Sequence, residues 1–339
     1  MRRISDFIRS FRLEQIIVVY SVLLFGVFAT SHTPTVADYL KLALLSICGH
    51  IFGYGLNDVV DKPYDRFKPL HRGQHRKIRK PFSRDIMLTI VLLQLPIILC
   101  VGALFYGFGP STLFILLALA SIAVYDLFGK ISGRFVLIPH IFFPLSLALL
   151  CLGGYTLFDP VSSIGIPFSL LLVTLYLNSF LANSVQAGLY DLKGDQDAGV
   201  STVAIWSGSQ ATGKYLRINR SMRLAGMILY FMNIPVILVQ AFLNGTEFWI
   251  YGIILGFFLF GYIHLVNLLK IKNNHVMLRY DVIGSSAYLF YATSLCWIER
   301  LPWPWWLVIA FNFLYPFVRN HPNVFGRWTL ISFFRGQPY

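Results

Sequence analysis

The chain has 339 residues, of which 56% are hydrophobic and only 13% are charged, and its mean hydropathy is +0.65. Soluble domains carry about a quarter charged residues, so this composition excludes an ordinary soluble protein and predicts a polytopic membrane protein. The formal net charge of +13 suggests a nucleic-acid partner only until the positions of the charges are considered. The cysteines fall in apolar runs without metal-ligand spacing, which predicts reduced core thiols. They are Cys48, Cys100, Cys151 and Cys296.

The first twelve residues place Ile4, Phe7, Ile8 and Phe11 at helical spacing, with arginines on the other side. This pattern predicts an amphipathic helix that lies in the membrane interface over residues 1–12. Apolar runs long enough to span a bilayer follow it. The predicted spans are 13–31, 37–57, 86–107, 110–128, 135–155, 163–189, 221–243, 247–269, 280–298 and 302–318.

The predicted fold is an all-α polytopic membrane bundle of nine or ten transmembrane helices. The last run is short and rich in proline and tryptophan, so it is either a tenth span or an interfacial segment. Residues 299–339 are therefore assigned to this segment and a cytoplasmic tail.

The distribution of Lys and Arg predicts the orientation of the bundle. With a cytoplasmic N-terminus, the inside segments are 1–12, 58–85, 129–134, 190–220, 270–279 and the C-terminal tail. All of the 28 Lys and Arg residues except Lys41 and Arg300 fall in or close to these segments. Cytoplasmic loops carry such an excess, which accounts for the charge of +13 without nucleic acid. The sequence thus predicts an integral multi-pass protein, in the inner membrane if it is bacterial.

A dense acidic stretch lies where the second predicted span ends. Asn57, Asp61 and Asp65 are spaced by four, so they share one face of a continuing helix, and His50 and Tyr54 extend that face into the membrane. Carboxylates crowded at a membrane cavity need a counter-ion, and oxygen ligands suit Mg²⁺. Taken alone, the stretch is also compatible with a solvated acidic loop.

A second acidic stretch lies at the end of the sixth predicted span. Asp191 and Asp195 are again spaced by four, and the polar residues Asn183 and Gln186 precede them. In the predicted topology both stretches lie at the cytoplasmic interface, which favours a joint metal site over two solvated loops. Together they hold six of the 15 acidic residues of the chain: Asp58, Asp61, Asp65, Asp191, Asp195 and Asp197.

These features resemble the UbiA superfamily of intramembrane prenyltransferases. The first stretch, from Asn57 to Asp65, matches its N-D-x-x-D-x-x-x-D motif, and Arg79-Lys80-Pro81 looks like its trailing R-P element. The second, from Asp191 to Thr202, resembles its D-x-x-x-D motif followed by G-x-x-T. The segment from Tyr125 to Lys130 is similar to its tyrosine-then-lysine element. The resemblance covers roughly residues 10–298.

The resemblance implies that residues 13–298 form a prenyltransferase domain around a central, lipid-open cavity. A prenyl group would pass there from an isoprenoid diphosphate to a hydrophobic or aromatic acceptor, such as a quinone precursor. Mg²⁺ would be held by Asn57, Asp58, Asp61, Asp65, Asp191 and Asp195, with Asp58 out of helical phase and so expected behind the direct ligands. The diphosphate would be neutralised by Arg66, Arg79, Lys130 and Lys193.

The chain departs from the family pattern in three places. Lys193 occupies a position that is often acidic, the segment between Asp65 and Arg79 is longer than usual, and a tenth span would exceed the usual nine. These departures bear on the choice of substrate more than on the reaction.

Polar residues within the predicted spans are candidates for the wall of the cavity. Buried polar residues in membrane helices mark functional sites, but they also form hydrogen bonds between helices. The sequence does not separate these two roles for His50, Tyr54, Tyr125 and Asn183.

Two other functions use comparable features. A terpene cyclase on the same scaffold would ionise a prenyl diphosphate without an acceptor. An ion-coupled transporter also carries intramembrane carboxylates, but it predicts helix breaks near the midplane, whereas these acidic stretches lie at span ends. A soluble isoprenyl diphosphate synthase is excluded by the predicted spans.

Overall fold

The computed structural model describes residues 11, 16–61, 83–129, 136–213, 215–272, 279–302, 305–307 and 310. Within these residues the chain forms a bundle of nine long helices and one small two-stranded sheet. The helices are α1 (Ile16–Phe28), α2 (Val36–Asp61), α3 (Arg84–Tyr106), α4 (Pro110–Gly129), α5 (Leu137–Thr156), α6 (Ile166–Tyr190), α9 (Arg220–Leu243), α10 (Phe248–Lys270) and α11 (Arg279–Leu295). Short elements numbered between α6 and α9 are given below.

The helices confirm the predicted polytopic bundle. Each of the nine coincides with one of the first nine predicted spans to within about four residues at either end, and among the described residues seven are long and apolar enough to cross a membrane. Apolar runs form helices in lipid because every backbone polar group must find its partner within the segment. The predicted interfacial helix over residues 1–12 and the tenth run, 302–318, lie almost entirely outside the described residues.

The packing of the bundle places α4 and α5 between the two helices that carry the acidic stretches. α2 lies against α1, α3 and α4, whereas α6 packs on α5, α9 and α11. α4 and α5 form an extensive pair, and α5 also contacts α1. Polar residues on α4 are therefore within reach of both stretches, and this arrangement positions the candidate site.

Glycines allow the close approach of α1 and α5. A methyl group added at Gly26 would overlap the carbonyl oxygen of Cys151, and one added at Gly154 would overlap the carbonyl oxygen of Leu23. Small residues at such contacts let membrane helices pack backbone to backbone. The contact fixes α5, which lies next to α4 and α6 at the candidate site.

We expect Gly154→Ala to destabilise the bundle by about 1–3 kcal/mol, because the added methyl group overpacks a backbone contact that cannot give way. The apparent melting temperature of the purified protein in detergent should fall accordingly. Gly256→Ala is the matched control, since Gly256 lies in α10 with nothing within 4 Å of an added Cβ. Equal melting temperatures for the two variants would contradict the assignment of a tight contact.

The segment between α6 and α9 contains short elements that the sequence analysis treats only as a cytoplasmic connection. They are α7 (Leu192–Asp197), α8 (Val203–Trp206), β1 (Gln210–Thr212) and β2 (Tyr215–Arg217). The strands pair antiparallel. The backbone N–H of Ala211 donates to Gln196 Oε1 at 2.8 Å, and that of Leu216 donates to the carbonyl oxygen of Lys272 at 2.8 Å. The hairpin thus connects the second acidic stretch to the segment after α10.

The cysteines are all free thiols, and three of them are buried as predicted. Cys100 is the exception, because it lies on a face of α3 that is exposed at the surface of the bundle. That face is apolar and suits contact with lipid. The prediction that all four are core thiols was therefore wrong at this position.

Candidate active site

The first acidic stretch begins on the last turns of α2. Asn57 is half-buried, Asp58 is only 5% exposed, and α2 ends at Asp61. Asn57 and Asp61 are one helical turn apart within α2, and the side chain of Asp61 lies outside the described part of the structure. Asp58 lies about 100° around the helix from Asn57 and is buried among the neighbouring helices. Asp65, Arg66 and Arg79 lie outside the described residues.

Asn57 is held by a carboxylate on α4 that the sequence analysis did not select. Asn57 Nδ2 donates to Asp126 Oδ1 at 2.9 Å, and Asp126 is only 4% exposed. A buried carboxylate near the end of an apolar span is costly unless it has partners. That cost is the signal in the sequence that could have identified Asp126 as part of the site.

The neighbouring residue on α4 reaches the other motif-bearing helix. Tyr125 OH donates to Asn183 Oδ1 at 3.3 Å, and Asn183 Nδ2 lies 3.4 Å from His140 Nδ1 on α5. The ring of Tyr125 also packs on Phe143, with ring centroids 5.1 Å apart. Adjacent residues of α4 therefore contact both helices that lead to the acidic stretches, and the structure brings Tyr125 and Asn183 together.

Asn183 lies in a π-helical segment of α6, Leu181–Ala187. Such segments interrupt the regular hydrogen bonding of an α-helix and occur frequently at functional sites. Here the segment lies between the apolar part of α6 and the second acidic stretch. It changes the direction of the side chains on the last turns of α6, so simple helical spacing does not predict which of them face Tyr125.

The second acidic stretch forms one helical turn, as its spacing predicts. The backbone N–H of Asp195 donates to the carbonyl oxygen of Asp191 at 3.0 Å, within the turn that begins α7. Asp191 is half-buried and Asp195 is 8% exposed. Both acidic residues of this turn are thus largely shielded from solvent.

The G-x-x-T element that follows has a clear conformational role. Gly199 adopts a φ of 68° directly after α7, and the N–H of Val200 donates to the carbonyl oxygen of Asp195 at 2.9 Å. This is the left-handed termination that glycine favours at a helix C-terminus. Thr202 then caps α8 by accepting from the N–H of Ile205 at 3.5 Å. The element therefore fixes the end of the helix that carries Asp195.

Lys193 forms an ion pair with Asp197. Its Nζ lies 3.1 Å from Asp197 Oδ2, and about a third of its side chain is exposed. Lys193 is two residues from both Asp191 and Asp195, which places it on the opposite side of the helix. A contact between Lys193 and a diphosphate would require this ion pair to open.

We expect Lys193→Ala to keep turnover of a prenyl diphosphate within roughly fivefold of wild type, because an exposed ion pair contributes about 1 kcal/mol or less. Initial rates of diphosphate release, measured over a range of donor concentrations, check this. A rise of more than tenfold in the KM for the donor would instead show that Lys193 contributes to diphosphate binding.

His50 and Tyr54 lie deeper in the bundle. His50 is 1% exposed, its Nε2 lies 3.0 Å from the carbonyl oxygen of Phe11, and its ring stacks on Tyr54 with centroids 4.3 Å apart. These contacts connect α2 to the segment before α1. They favour a packing role for His50 over contact with a substrate.

Other polar side chains of α6 bond to α11. Asn178 Nδ2 donates to the carbonyl oxygen of Ser286 at 2.9 Å, and Gln186 bonds to the hydroxyl groups of Ser285 and Ser286. Gln186 is 1% exposed. These bonds hold α6 against α11, whereas Asn183 contacts Tyr125 on α4 and His140 on α5.

Oxygen atoms dominate the donor set at this end of the bundle. No three His, Cys, Asp or Glu side chains converge on a possible metal position among the residues that the structure describes, which exclude the side chains of Asp61 and Asp65. The predicted metal ligands whose side chains the structure describes are Asn57, Asp58, Asp191 and Asp195, and each of them offers oxygen atoms. Such hard oxygen ligands fit Mg²⁺, which is commonly shared with phosphate oxygens, and do not suit a softer metal.

A cavity of about 690 Å³ opens at the other end of the bundle. Its walls include Ser31, His32, Asp159, Glu299 and Arg300. Among the described residues that line it, none belongs to either acidic stretch. It is therefore separate from the candidate active site.

The described helices form a polytopic membrane bundle, and its two acidic stretches lie at the ends of α2 and α6. The chain belongs to the UbiA prenyltransferase family, whose model matches residues 18–280. No curated protein sequence matches it significantly.

Solved structures with the same fold include a digeranylgeranylglyceryl phosphate synthase, with 13% identity and a TM-score of 0.58 over 88% of this chain and 98% of that one. A UbiA homologue from Archaeoglobus fulgidus bound to GPP and Mg²⁺ has 15% identity and a TM-score of 0.56, covering 86% and 99% of the two chains. An apo UbiA homologue from Aeropyrum pernix K1 has 13% identity and a TM-score of 0.56, covering 90% and 97%. At these identities the likeness establishes the fold.

Proposed function

We propose that the protein is an intramembrane prenyltransferase that depends on Mg²⁺. It transfers a prenyl group from an isoprenoid diphosphate to a hydrophobic or aromatic acceptor, such as a quinone precursor, and releases diphosphate. The observation that carries this proposal is the pair of contacts from adjacent residues of α4. Asp126 bonds to Asn57 of the first acidic stretch, and Tyr125 bonds to Asn183 on the helix that leads to the second.

The donor class is supported by the family and by the relative that binds GPP and Mg²⁺. In the proposed site, the metal is held by Asn57, Asp61 and Asp65 on one side and by Asp191 and Asp195 on the other. When bound, Mg²⁺ supplies charge neutralisation to the departing diphosphate. Asp58, buried and out of phase with its neighbours, stands behind the direct ligands.

Cationic side chains complete the diphosphate site in this proposal. Arg66, Arg79 and Lys130 bind the diphosphate oxygens, and arginine does so with bidentate geometry. All three lie outside the described residues. Lys193 is assigned a lesser role, because it is paired with Asp197.

The bundle itself protects the reaction. The allylic carbon–oxygen bond breaks with its electron pair leaving on diphosphate, and the acceptor then forms the new bond and loses a proton. An allylic cation reacts with water, so the apolar helices of residues 13–298 must keep water away from the reacting carbon. The polar contacts of Tyr125, Asn183 and His140 offer hydrogen-bonding groups for the acceptor within that apolar setting.

The charge asymmetry of the sequence supports a cytoplasmic site. Both acidic stretches follow spans that end on the side enriched in Lys and Arg, which is the cytoplasmic side of membrane proteins. A water-soluble diphosphate product would therefore leave into the cytoplasm, while the prenyl chain and the acceptor enter from the lipid.

Diphosphate release by the purified protein in detergent tests the proposal. Geranyl, farnesyl and geranylgeranyl diphosphate are supplied separately, with and without Mg²⁺, and with phenolic, quinone-precursor, sugar-phosphate and glycerol-phosphate acceptors. Release that requires both Mg²⁺ and one acceptor supports the transferase and identifies both substrates. Release without an acceptor, with a hydrocarbon product, would replace it with a terpene cyclase. Absence of both release and donor binding would overturn it and favour an ion-coupled transporter.

A further inference from the structure

The contact between Asn57 and Asp126 is unusual because it joins a proposed metal ligand to a second, buried carboxyl group. Asp126 lies in the last turns of α4 and is 4% exposed, and its Oδ1 is 2.9 Å from Asn57 Nδ2. Burial of a carboxylate at this depth is unfavourable unless hydrogen bonds or charges compensate for it. Packing alone does not call for an acidic residue at this position.

The contact in the structure gives the orientation of the Asn57 amide, because its Nδ2 donates to Asp126 Oδ1. This is the pairing that an ionised carboxylate requires, since it only accepts hydrogen bonds. The amide oxygen of Asn57 is on the other branch of the planar group and is thereby directed away from Asp126. Only that oxygen can bind a metal ion, because the amide nitrogen has no available lone pair.

We propose that Asp126 is a positioning residue that orients Asn57 so that its amide oxygen is presented to the metal ion of the diphosphate site. Asp126 does not itself contact metal or substrate. This inference rests on the proposed function. It adds a residue to the site and gives a physical reason for a carboxyl group at position 126.

The arrangement also gives Asp126 an electrostatic role. Partners of metal ligands fix their orientation, and their loss typically weakens metal affinity by about 10–100-fold. The carboxylate of Asp126 adds negative charge to a region that already contains Asp58 and Asp61, and a bound cation relieves that repulsion. Removal of Asp126 should therefore weaken Mg²⁺ binding both through lost orientation and through lost charge.

A binding measurement tests this without relying on turnover. Mg²⁺ is titrated into the full-length protein in detergent at a fixed concentration of inorganic diphosphate, and the rise in melting temperature is recorded. Asp126→Ala should raise the Mg²⁺ concentration for half-maximal stabilisation about 10–100-fold. Asp159→Ala is the matched control, because Asp159 is a half-buried carboxylate near the other end of the bundle that accepts from Ser31. It should leave that concentration unchanged.

Exchange of the two side chains separates orientation from a general structural effect. Asn57→Asp alone places two carboxylates face to face, so the side chain at position 57 loses the hydrogen bond that orients it. We expect this loss of orientation to outweigh the added negative charge and to weaken Mg²⁺ binding. In the double variant Asn57→Asp with Asp126→Asn, the amide at position 126 donates to the carboxylate at position 57. The hydrogen bond is thus restored in the reverse direction, and the net charge is unchanged. We expect it to bind Mg²⁺ at least about tenfold more tightly than Asn57→Asp alone, as coupled neighbours do in a double-mutant cycle.

The outcomes distinguish the two proposals. If the wild type shows a Mg²⁺-dependent shift that Asp126→Ala leaves unaltered, or if the exchange gives no recovery, the positioning role is wrong while the proposed function stands. A lower melting temperature without metal but an unchanged Mg²⁺ dependence would likewise reduce Asp126 to a structural residue. If the wild type shows no Mg²⁺-dependent shift with diphosphate, both proposals fail. If Asp126→Ala does not fold, the comparison of the double variant with Asn57→Asp alone still tests the positioning role of Asp126.

Discussion

Asp191→Ala is expected to abolish Mg²⁺-dependent release of diphosphate, with turnover at least about 10³-fold below wild type, while the protein still folds. Asp191 is half-buried at the junction of α6 and α7, and its carboxylate is one of the few described oxygen donors there. Loss of a group that stabilises developing charge costs about 10²–10³-fold even for a neutral donor. A metal-binding carboxylate should cost more.

Asp197→Ala is the matched control for this experiment. Asp197 lies six residues later in the same stretch, but it is exposed and paired with Lys193 at 3.1 Å. Its loss removes a surface ion pair, and turnover should remain close to that of wild type. Turnover retained by purified, folded Asp191→Ala would overturn the assignment of the second acidic stretch to the metal site.

The sequence predicts the helices well because one strong physical term determines them. Apolar runs of about 20 residues must be helical in lipid, and their ends coincide with polar or charged residues. The start of α3 illustrates this, since Ser83 accepts a hydrogen bond from the N–H of Ile86 and so caps the helix just before its apolar run. The hairpin of β1 and β2 has no comparable signal, because its strands have three residues each and depend on distant partners such as Lys272.

The candidate site is predictable in its residue types but not in their pairing. The predicted spans and the distribution of Lys and Arg already place Asn57 and Asp191 at one end of the bundle. The contact of Asn57 with Asp126 joins residues 69 positions apart, and no local pattern indicates it. Lys193 shows the opposite case, because the i,i+4 spacing with Asp197 was visible in the sequence and competes with the role in diphosphate binding that the resemblance implies.

Polar residues within the spans divide in a way that only packing reveals. His50 and Gln186 are both buried and bond to neighbouring segments, whereas Asn183 joins the contacts beside the acidic stretches. The neighbours of a buried polar residue decide whether its hydrogen bond holds two helices together or belongs to a functional site. The π-helical segment of α6 makes this harder to predict, since it shifts the side chains that follow it relative to a regular helix.

Asp61→Ala is expected to eliminate turnover as completely as Asp191→Ala, because the two proposed ligand sets act on one diphosphate. Asp61 ends α2 one turn after Asn57, so truncation of its side chain should not disturb the apolar part of the helix. The variant should retain the melting temperature of the wild type in the absence of ligand and lose the stabilisation by Mg²⁺ with inorganic diphosphate. Asp85→Ala is the matched control, because Asp85 is an exposed carboxylate in the first turn of α3.

The Mg²⁺ dependence of these variants separates a ligand from a residue that orients one. In Asp126→Ala every proposed ligand is still present, so a higher Mg²⁺ concentration should recover most of the turnover. In Asp61→Ala a ligand is missing, and excess Mg²⁺ should not restore the rate, because the charge on the departing diphosphate is no longer stabilised in the same geometry. Full recovery of Asp61→Ala at high Mg²⁺ would place Asp61 outside the metal site and leave Asp191 and Asp195 as its main carboxylates.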